Sequence, residues 1–460
     1  MKQLLIIIFI LIAGGAKGYT KDFDYSHIAP HPRLLLKEGE ERNIHIALQK
    51  STVLQAFHKR ILDYCDETLK EAPVKRIKEG KRLLGVSRIV LKRVFYLSYA
   101  YRMTGEKEYL RRAEKEMLAA ASFIDWNPSH FLDVSEMSMG LAIGYDWLFN
   151  ELLPDSRKKI RQAIVEKAIE ASKTKHASFY QSRTNWNQVC NGGLVCSALA
   201  IYEDEPEKTK EIINKALQTV PLALECYAPD GGYPEGFGYW SYGTSYQVML
   251  NDALESSLGH DAGLSDYPGF LQSAQYIQYM TAPTGDCFNF SDASPKAYGN
   301  IMMFWFAHKT KNPSLLWLEK KYLNDANLEF GEYLEERFLP CLLIFASRID
   351  LDEVISPKGN TWHSIGTTPV YIYRSGWNYK TDTYLGVKGG TASTSHAHMD
   401  AGSFIYEQAG VRWAMDLGMQ DYYSLESKGV DLWNTKQYSQ RWQVFRIGSS
   451  AHNTLTIDGK

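Results

Sequence analysis

Four short stretches hold the residue types best suited to chemistry. The first is Ser395-His396-Ala397-His398-Met399-Asp400, with imidazoles at i and i+2. On a strand such positions face one side, so His396 and His398 are expected to point together, to share a metal or to divide acid–base labour. Asp416 and His452 follow in Ala414–Gly418 and Ala451–Thr454, and His, Asp and His suit Zn²⁺. The competing reading is an incidental pair satisfied in the core. The second stretch is Asn185-Trp186-Asn187-Gln188, followed by Cys190-Asn191-Gly192-Gly193. Amides grouped at a helix start hydrogen-bond a carboxylate or carboxylic acid, or they cap and stabilise a loop.

The third stretch runs from Asp230 to Tyr246. Tyr239, Tyr242 and Tyr246 share one face if it opens a helix. Gly231, Gly232, Gly236, Gly238 and Gly243 suit a chain that a ligand approaches closely, although a tyrosine face also serves a core. Glu235 lies in the same loop. The fourth stretch is Trp126–Asp133, with His130 among aromatic and polar neighbours and Glu136 one turn on. Asp133 reads there as the cap of the apolar helix Met137–Phe149.

The elements that must position these residues are of two kinds. From about Pro32 to Ser347 the pattern is helical: Ser156–Lys175 sets Ile160, Ile164 and Ala168 on one face, and Glu207–Cys226 repeats Ile212, Ala216, Val220 and Leu224 every four. Loops rich in Gly, Pro, Asn and Asp separate such segments, at Asp125–His130, Ala228–Gly238 and Thr281–Pro295. Roughly ten amphipathic helices of this kind predict helical hairpins arranged as an α/α toroid. After about Gly366 the period falls to two. Pro369–Arg374, Thr383–Val387, Ser403–Tyr406, Val411–Met415 and Asn453–Ile457 read as strands. The expected architecture is multidomain α+β: an incomplete toroid of helical hairpins over 19–350, then the start of an antiparallel β-sandwich domain over 351–460. A small sheet with open edges is awkward alone, so the sequence is expected to be a truncated version of a longer protein.

Composition narrows the function. The chain has 460 residues, 51 basic and 53 acidic, a formal net charge of −2. With no basic excess to neutralise phosphates, a generic nucleic-acid binder is not expected. The apolar fraction of 45% and charged fraction of 23% are those of a globular chain, not of a disordered or fibrous one. The aromatic fraction is 13%, with 29 Tyr and 11 Trp, which suits a long groove that stacks on sugars as well as a large core. Lys2, the apolar run Leu4–Ala13 and the small residues Ala16 and Gly18 read as a secretory signal peptide over 1–18. No later run is long enough to span a membrane. Six scattered cysteines without CxxC spacing read mainly as core residues.

Together these stretches resemble the heparinase II/III-like polysaccharide lyases. The resemblance is carried by His31–Leu36, Asn185–Gln188, the tyrosine-rich loop 233–246, Ser395–Phe404, Asp416–Gly418 and Ala451–Leu455. It implies β-elimination at a uronic acid. Asn187, with Gln188, would neutralise the substrate carboxylate, His396 would match the catalytic histidine, and Tyr246 or alternatively Tyr242 would be the catalytic tyrosine. Tyr239, Glu235, His130 and Arg446 would bind substrate. His398, Asp416 and His452 match a zinc triad of mainly structural purpose. Heparinase II has a His-x-x-Glu pair where this chain has Thr184 and Asn187, which leaves the glycan open. Arg446 and Arg183 suit sulfate or carboxylate groups, or surface ion pairs.

The expected protein is a secreted, periplasmic bacterial lyase acting on an acidic polysaccharide. A glycosaminoglycan such as heparan sulfate comes first and alginate second, and a homodimer is compatible with it. The rivals are an inverting glycoside hydrolase using Asp230 and Glu235, and a non-catalytic glycan-binding protein.

Overall fold

The computed structural model describes residues 23–324 and 336–457; the leader read at 1–18 lies outside them. The helices are α1 (Glu41–Lys50), α2 (Thr52–Lys70), α3 (Leu84–Thr104), α4 (Lys107–Ala121), α5 (Phe131–Trp147), α6 (Pro154–Ile164), α7 (Asn185–Ala200), α8 (Pro206–Leu224), α9 (Phe237–Leu258), α10 (Ser273–Met280), α11 (Met303–Thr310), α12 (Trp317–Asn324), α13 (Leu339–Ala346) and α14 (Tyr422–Glu426). Sequence pattern sorts the first nine into layers. Every residue of α5 is buried, and every residue of α7 except Trp186. Helices apolar all round must be enclosed, and α3, α5, α7 and α9 pack successively against one another. By contrast α4, α6 and α8 bury one face each, and they pack behind the inner row on α3, α5 and α7. That alternation of inner and outer helices is the layering of an α/α toroid. α13 packs on α1, α2 and α3, and its Cys341 reaches Met249 of α9, so it sits between the first and last inner helices.

Small residues set the inner spacing. A Cβ on Gly140 of α5 would lie 2.8 Å from Leu91 Cα of α3, and one on Gly193 of α7 would lie 2.9 Å from the Ser135 carbonyl carbon of α5. Neither backbone has room to give. Gly193→Ala is therefore expected to destabilise the fold by roughly 1–3 kcal/mol. Thermal unfolding checks this, and a melting temperature equal to the parent's would contradict the packing.

Five strands follow: β1 (Thr361–Ser364), β2 (Val370–Arg374), β3 (Tyr384–Lys388), β4 (Phe404–Gln408) and β5 (Val411–Ala414). They form one antiparallel meander in sequence order. Four match the period-two segments; β1 precedes Gly366, where the expected strands begin. The inner face is fixed by alternation: Trp362, Ile372, Tyr384 and Ile405 are buried while Tyr371 and Tyr373 are exposed. Ring stacking joins Tyr279 of α10 to Trp362. The Tyr384 hydroxyl donates to the Tyr279 carbonyl at 2.9 Å. Phe288 packs where Gly386 lacks a side chain, since a Cβ there would lie 2.7 Å from its ring.

Several expectations need correcting. Asn453–Ile457 does not join the sheet; the Asn453 amide instead donates to the Phe404 and Met415 carbonyls at 2.9 and 3.0 Å. His396 and His398 are not on a strand. Residues 391–402 form successive turns, with His396 at φ 58°, because the Ser/Thr-rich run between Gly390 and Gly402 favours turns over a ladder. Asp133 lies inside α5 and takes the Leu83 backbone N–H at 2.7 Å rather than capping its own helix. The six cysteines are unpaired and all but Cys226 are buried. Among the described residues no helix is long and apolar enough to cross a membrane.

Candidate active site

Because outer helices return the chain each time, the inner helices run parallel and begin at the same end of the toroid. The starts of α3, α5, α7 and α9 bring Arg82, Arg88, His130, Asn185, Tyr239 and Tyr242 to one cleft of about 710 Å³. Its opposite wall is the β-region, with His396, Tyr422, Trp433 and Arg441. Helix starts carry partial positive charge from unpaired N–H groups. With three arginines beside them, the cleft suits an anion although the chain is nearly neutral overall.

At its centre the Tyr239 ring stacks on His396, with centroids 3.9 Å apart and planes at 20°. The histidine's left-handed backbone is held from behind, where the Asp292 N–H donates to its carbonyl at 3.1 Å. Its Nδ1 lies 3.2 Å from Asp292 Oδ2, which leaves Nε2 for the cleft. Asp292 Oδ1 lies 2.9 Å from His398 Nε2, and Arg441 is 3.5 Å from Oδ2. Burial pushes the Asp292 carboxyl up. The hydrogen bonds from His396 and His398 and the Arg441 charge outweigh it, holding the group well below the usual carboxylate range. The Tyr422 hydroxyl lies 2.9 Å from Asp292 and 2.7 Å from the Tyr239 hydroxyl. Burial raises both phenols, so both are protonated at neutral pH.

Asn185 is the amide on the cleft wall. Its Nδ2 donates one hydrogen to Glu235 Oε2 at 3.0 Å and has a second hydrogen to give. Asn187 is two residues on, about 200° around the helix, and faces α8. Its amide donates to the Ser182 and Thr219 carbonyls, both at 3.0 Å, and its oxygen accepts from Asn191 at 2.9 Å. It is fully buried and does not reach the cleft. Gln188 is also buried away from it, donating to the Tyr227 hydroxyl at 2.9 Å.

The three tyrosines do share a face of α9, as their spacing predicted, but at different depths. Tyr246 is seven residues beyond Tyr239, about 10 Å along the axis, and is fully buried against Phe338. Tyr242 lines the floor, its hydroxyl donating to Glu136 at 3.0 Å. Glu136 is buried, which pushes its carboxyl up, yet Arg337 and Arg88 hold it below its ordinary range. His130 stands on the wall, with Nδ1 2.6 Å from Asp133 and its ring edge against Trp186. Arg446 lies outside the cleft and donates to the Leu417 and Met419 carbonyls at 2.6 and 3.2 Å. Arg183 forms an exposed ion pair with Glu225. The two carboxylates of the hydrolase reading are both engaged: Glu235 holds Asn185, and Asp230 accepts from Ser364 Oγ at 2.6 Å and from the Ile365 N–H at 2.8 Å.

Below His396, His398 and His452 lie with ring centroids 5.3 Å apart, and His452 Nδ1 is 2.7 Å from Asp416 Oδ2. His398 Nδ1 and His452 Nε2 are buried without a hydrogen-bond partner. Such orphans cost about 1–3 kcal/mol each, and an ion between the rings would relieve them. Among the described residues, however, no three His, Cys, Asp or Glu side chains converge as a ligand set.

The molecule is thus a helical toroid whose inner-helix starts face an antiparallel sheet domain across a basic, aromatic cleft. Residues 370–460 match the family described as Heparinase II/III-like, C-terminal. Among solved structures the chain is similar to a heparinase III, at 15% identity and TM-score 0.48 over 85% of this chain and 57% of that one. It is also similar to the heparan sulfate lyase HepC from Pedobacter heparinus, at 14% identity and TM-score 0.46 over 84% of this chain and 55% of that one. The chain therefore spans less than two thirds of the length of these structures. No curated protein matches it.

Proposed function

We propose that the protein is a secreted polysaccharide lyase that cleaves a uronic-acid glycan by β-elimination. A glycosaminoglycan such as heparan sulfate is the first substrate class and alginate the second. The observation that carries the reading is the Tyr239–His396 stack facing the Asn185 amide across one basic cleft. The C5 proton of a uronate is weakly acidic while the neighbouring carboxylate keeps its charge. The second Asn185 N–H binds that carboxylate and favours the enolate-like intermediate. His396, oriented by Asp292, removes the C5 proton, and Tyr239 protonates the leaving oxygen on C4. Arg82 and Arg88 draw the acidic chain into the cleft. The leader read at 1–18 would send the protein to the periplasm.

The test is to offer the purified protein a panel of uronate glycans. Release of ultraviolet-absorbing unsaturated uronate is expected, and no such product from any member would overturn the proposal.

We propose zinc at His398, Asp416 and His452, supported by the two orphaned imidazole nitrogens. Bound there, it would supply rigidity to the turns that present His396. His398→Ala is expected to abolish zinc retained through dialysis, read by elemental analysis; full retention would count against the site.

A further inference from the structure

Tyr422 comes from α14 in the β-region, outside every motif the sequence singled out. Its hydroxyl meets three groups: Tyr239 at 2.7 Å, Asp292 Oδ2 at 2.9 Å and His396 Nδ1 at 3.3 Å. Its ring is fixed edge-on by Trp433, with centroids 4.9 Å apart. The polarity of the chain follows from donor counts. An ionised carboxylate has no proton to give, so the single Tyr422 O–H points at Asp292. The Tyr422 oxygen is then the acceptor for Tyr239. The Tyr239 oxygen is thereby pinned at one point of the wall, its ring held by His396 and its hydroxyl by Tyr422.

We infer that Tyr422 is a positioning residue for Tyr239, an inference that rests on the lyase reading above. In the acid step the Tyr239 O–H bond breaks as the bond from hydrogen to the leaving O4 forms, and the electron pair stays on the Tyr239 oxygen. For this the Tyr239 O–H first turns from the Tyr422 oxygen to O4, while Tyr422 turns its O–H from Asp292 onto the Tyr239 oxygen and keeps its own proton throughout. It therefore fixes the acid before the step and hydrogen-bonds the developing phenolate during it. A donor held ready for charge that appears only in the transition state raises kcat without changing ground-state binding.

The test is Tyr422→Phe in the full chain, assayed on the glycan that the parent cleaves. It keeps the ring and its Trp433 contact and removes only the hydroxyl. A fall in kcat of about 10–100-fold is expected, with KM within about threefold and the melting temperature unchanged. The double variant Tyr239→Phe/Tyr422→Phe is expected to be no slower than Tyr239→Phe, because the second residue acts through the first. A Tyr422→Phe rate within about threefold of the parent overturns the inference. So does a raised KM with a lowered melting temperature, the mark of a packing role, or a further loss on top of Tyr239→Phe. A parent that cleaves no uronate glycan overturns the lyase reading itself, and this inference with it.

Discussion

Tyr239→Phe is expected to lower kcat by roughly 10²–10⁴-fold, the range for loss of a positioned acid–base group, while leaving the melting temperature close to the parent's. The ring stack on His396 survives the change, and only the hydroxyl that reaches Tyr422 is removed. The control is Tyr246→Phe. Tyr246 is sealed in the core two helical turns deeper, so its variant should keep kcat within about threefold. Steady-state kinetics on the two variants separate the candidates: a large loss in Tyr246→Phe with little in Tyr239→Phe would reverse the assignment.

The second large effect concerns the amides. Asn185→Ala is expected to cost about 10²–10³ in kcat, as for removal of one preorganised donor at developing negative charge. Asn187→Ala should behave differently. It strips a partner from the half-buried Ser182 carbonyl and from the buried Thr219 carbonyl, the latter costing about 1–3 kcal/mol of stability if left unsatisfied. Kinetics and thermal melts on both variants give opposite signatures. If Asn187→Ala loses turnover at an unchanged melting temperature, the cleft has been assigned to the wrong amide.

Asn187 and Tyr246 show where the sequence was legible and where it was not. Composition and period placed the helices, the change to strands and the stretches that meet at the cleft, because burial leaves a periodic trace in apolar residues. The trace says which residues share a face. It does not say how deep along the axis each one sits, so Tyr239 and Tyr246 were equivalent in sequence although only the first is at the rim. Nor does a run of amides say which one faces inward. Asn185 and Asn187 are two apart, and the direction of α7 relative to α8 decides between them. Asp292 and Tyr422 were invisible for another reason. Asp292 lies in irregular chain and Tyr422 opens a helix of only five residues, too short to show a period, and they meet His396 only through contacts 104 and 26 residues apart. The pair of histidines misled because alternation was read onto residues that turn chemistry governs. Their common partner is a carboxylate on the loop 281–295, which the sequence marked only as rich in Gly, Pro, Asn and Asp.

Under the proposed function the glycosidic bond is broken by elimination. Digestion in heavy-oxygen water, with mass spectrometry of the new chain ends, tests it most directly. Elimination leaves the oxygen on the departing sugar and opens a double bond in the uronate, so products with no heavy oxygen and an unsaturated non-reducing end are expected. One heavy oxygen incorporated per cleavage, with saturated ends, would mean hydrolysis and would contradict it.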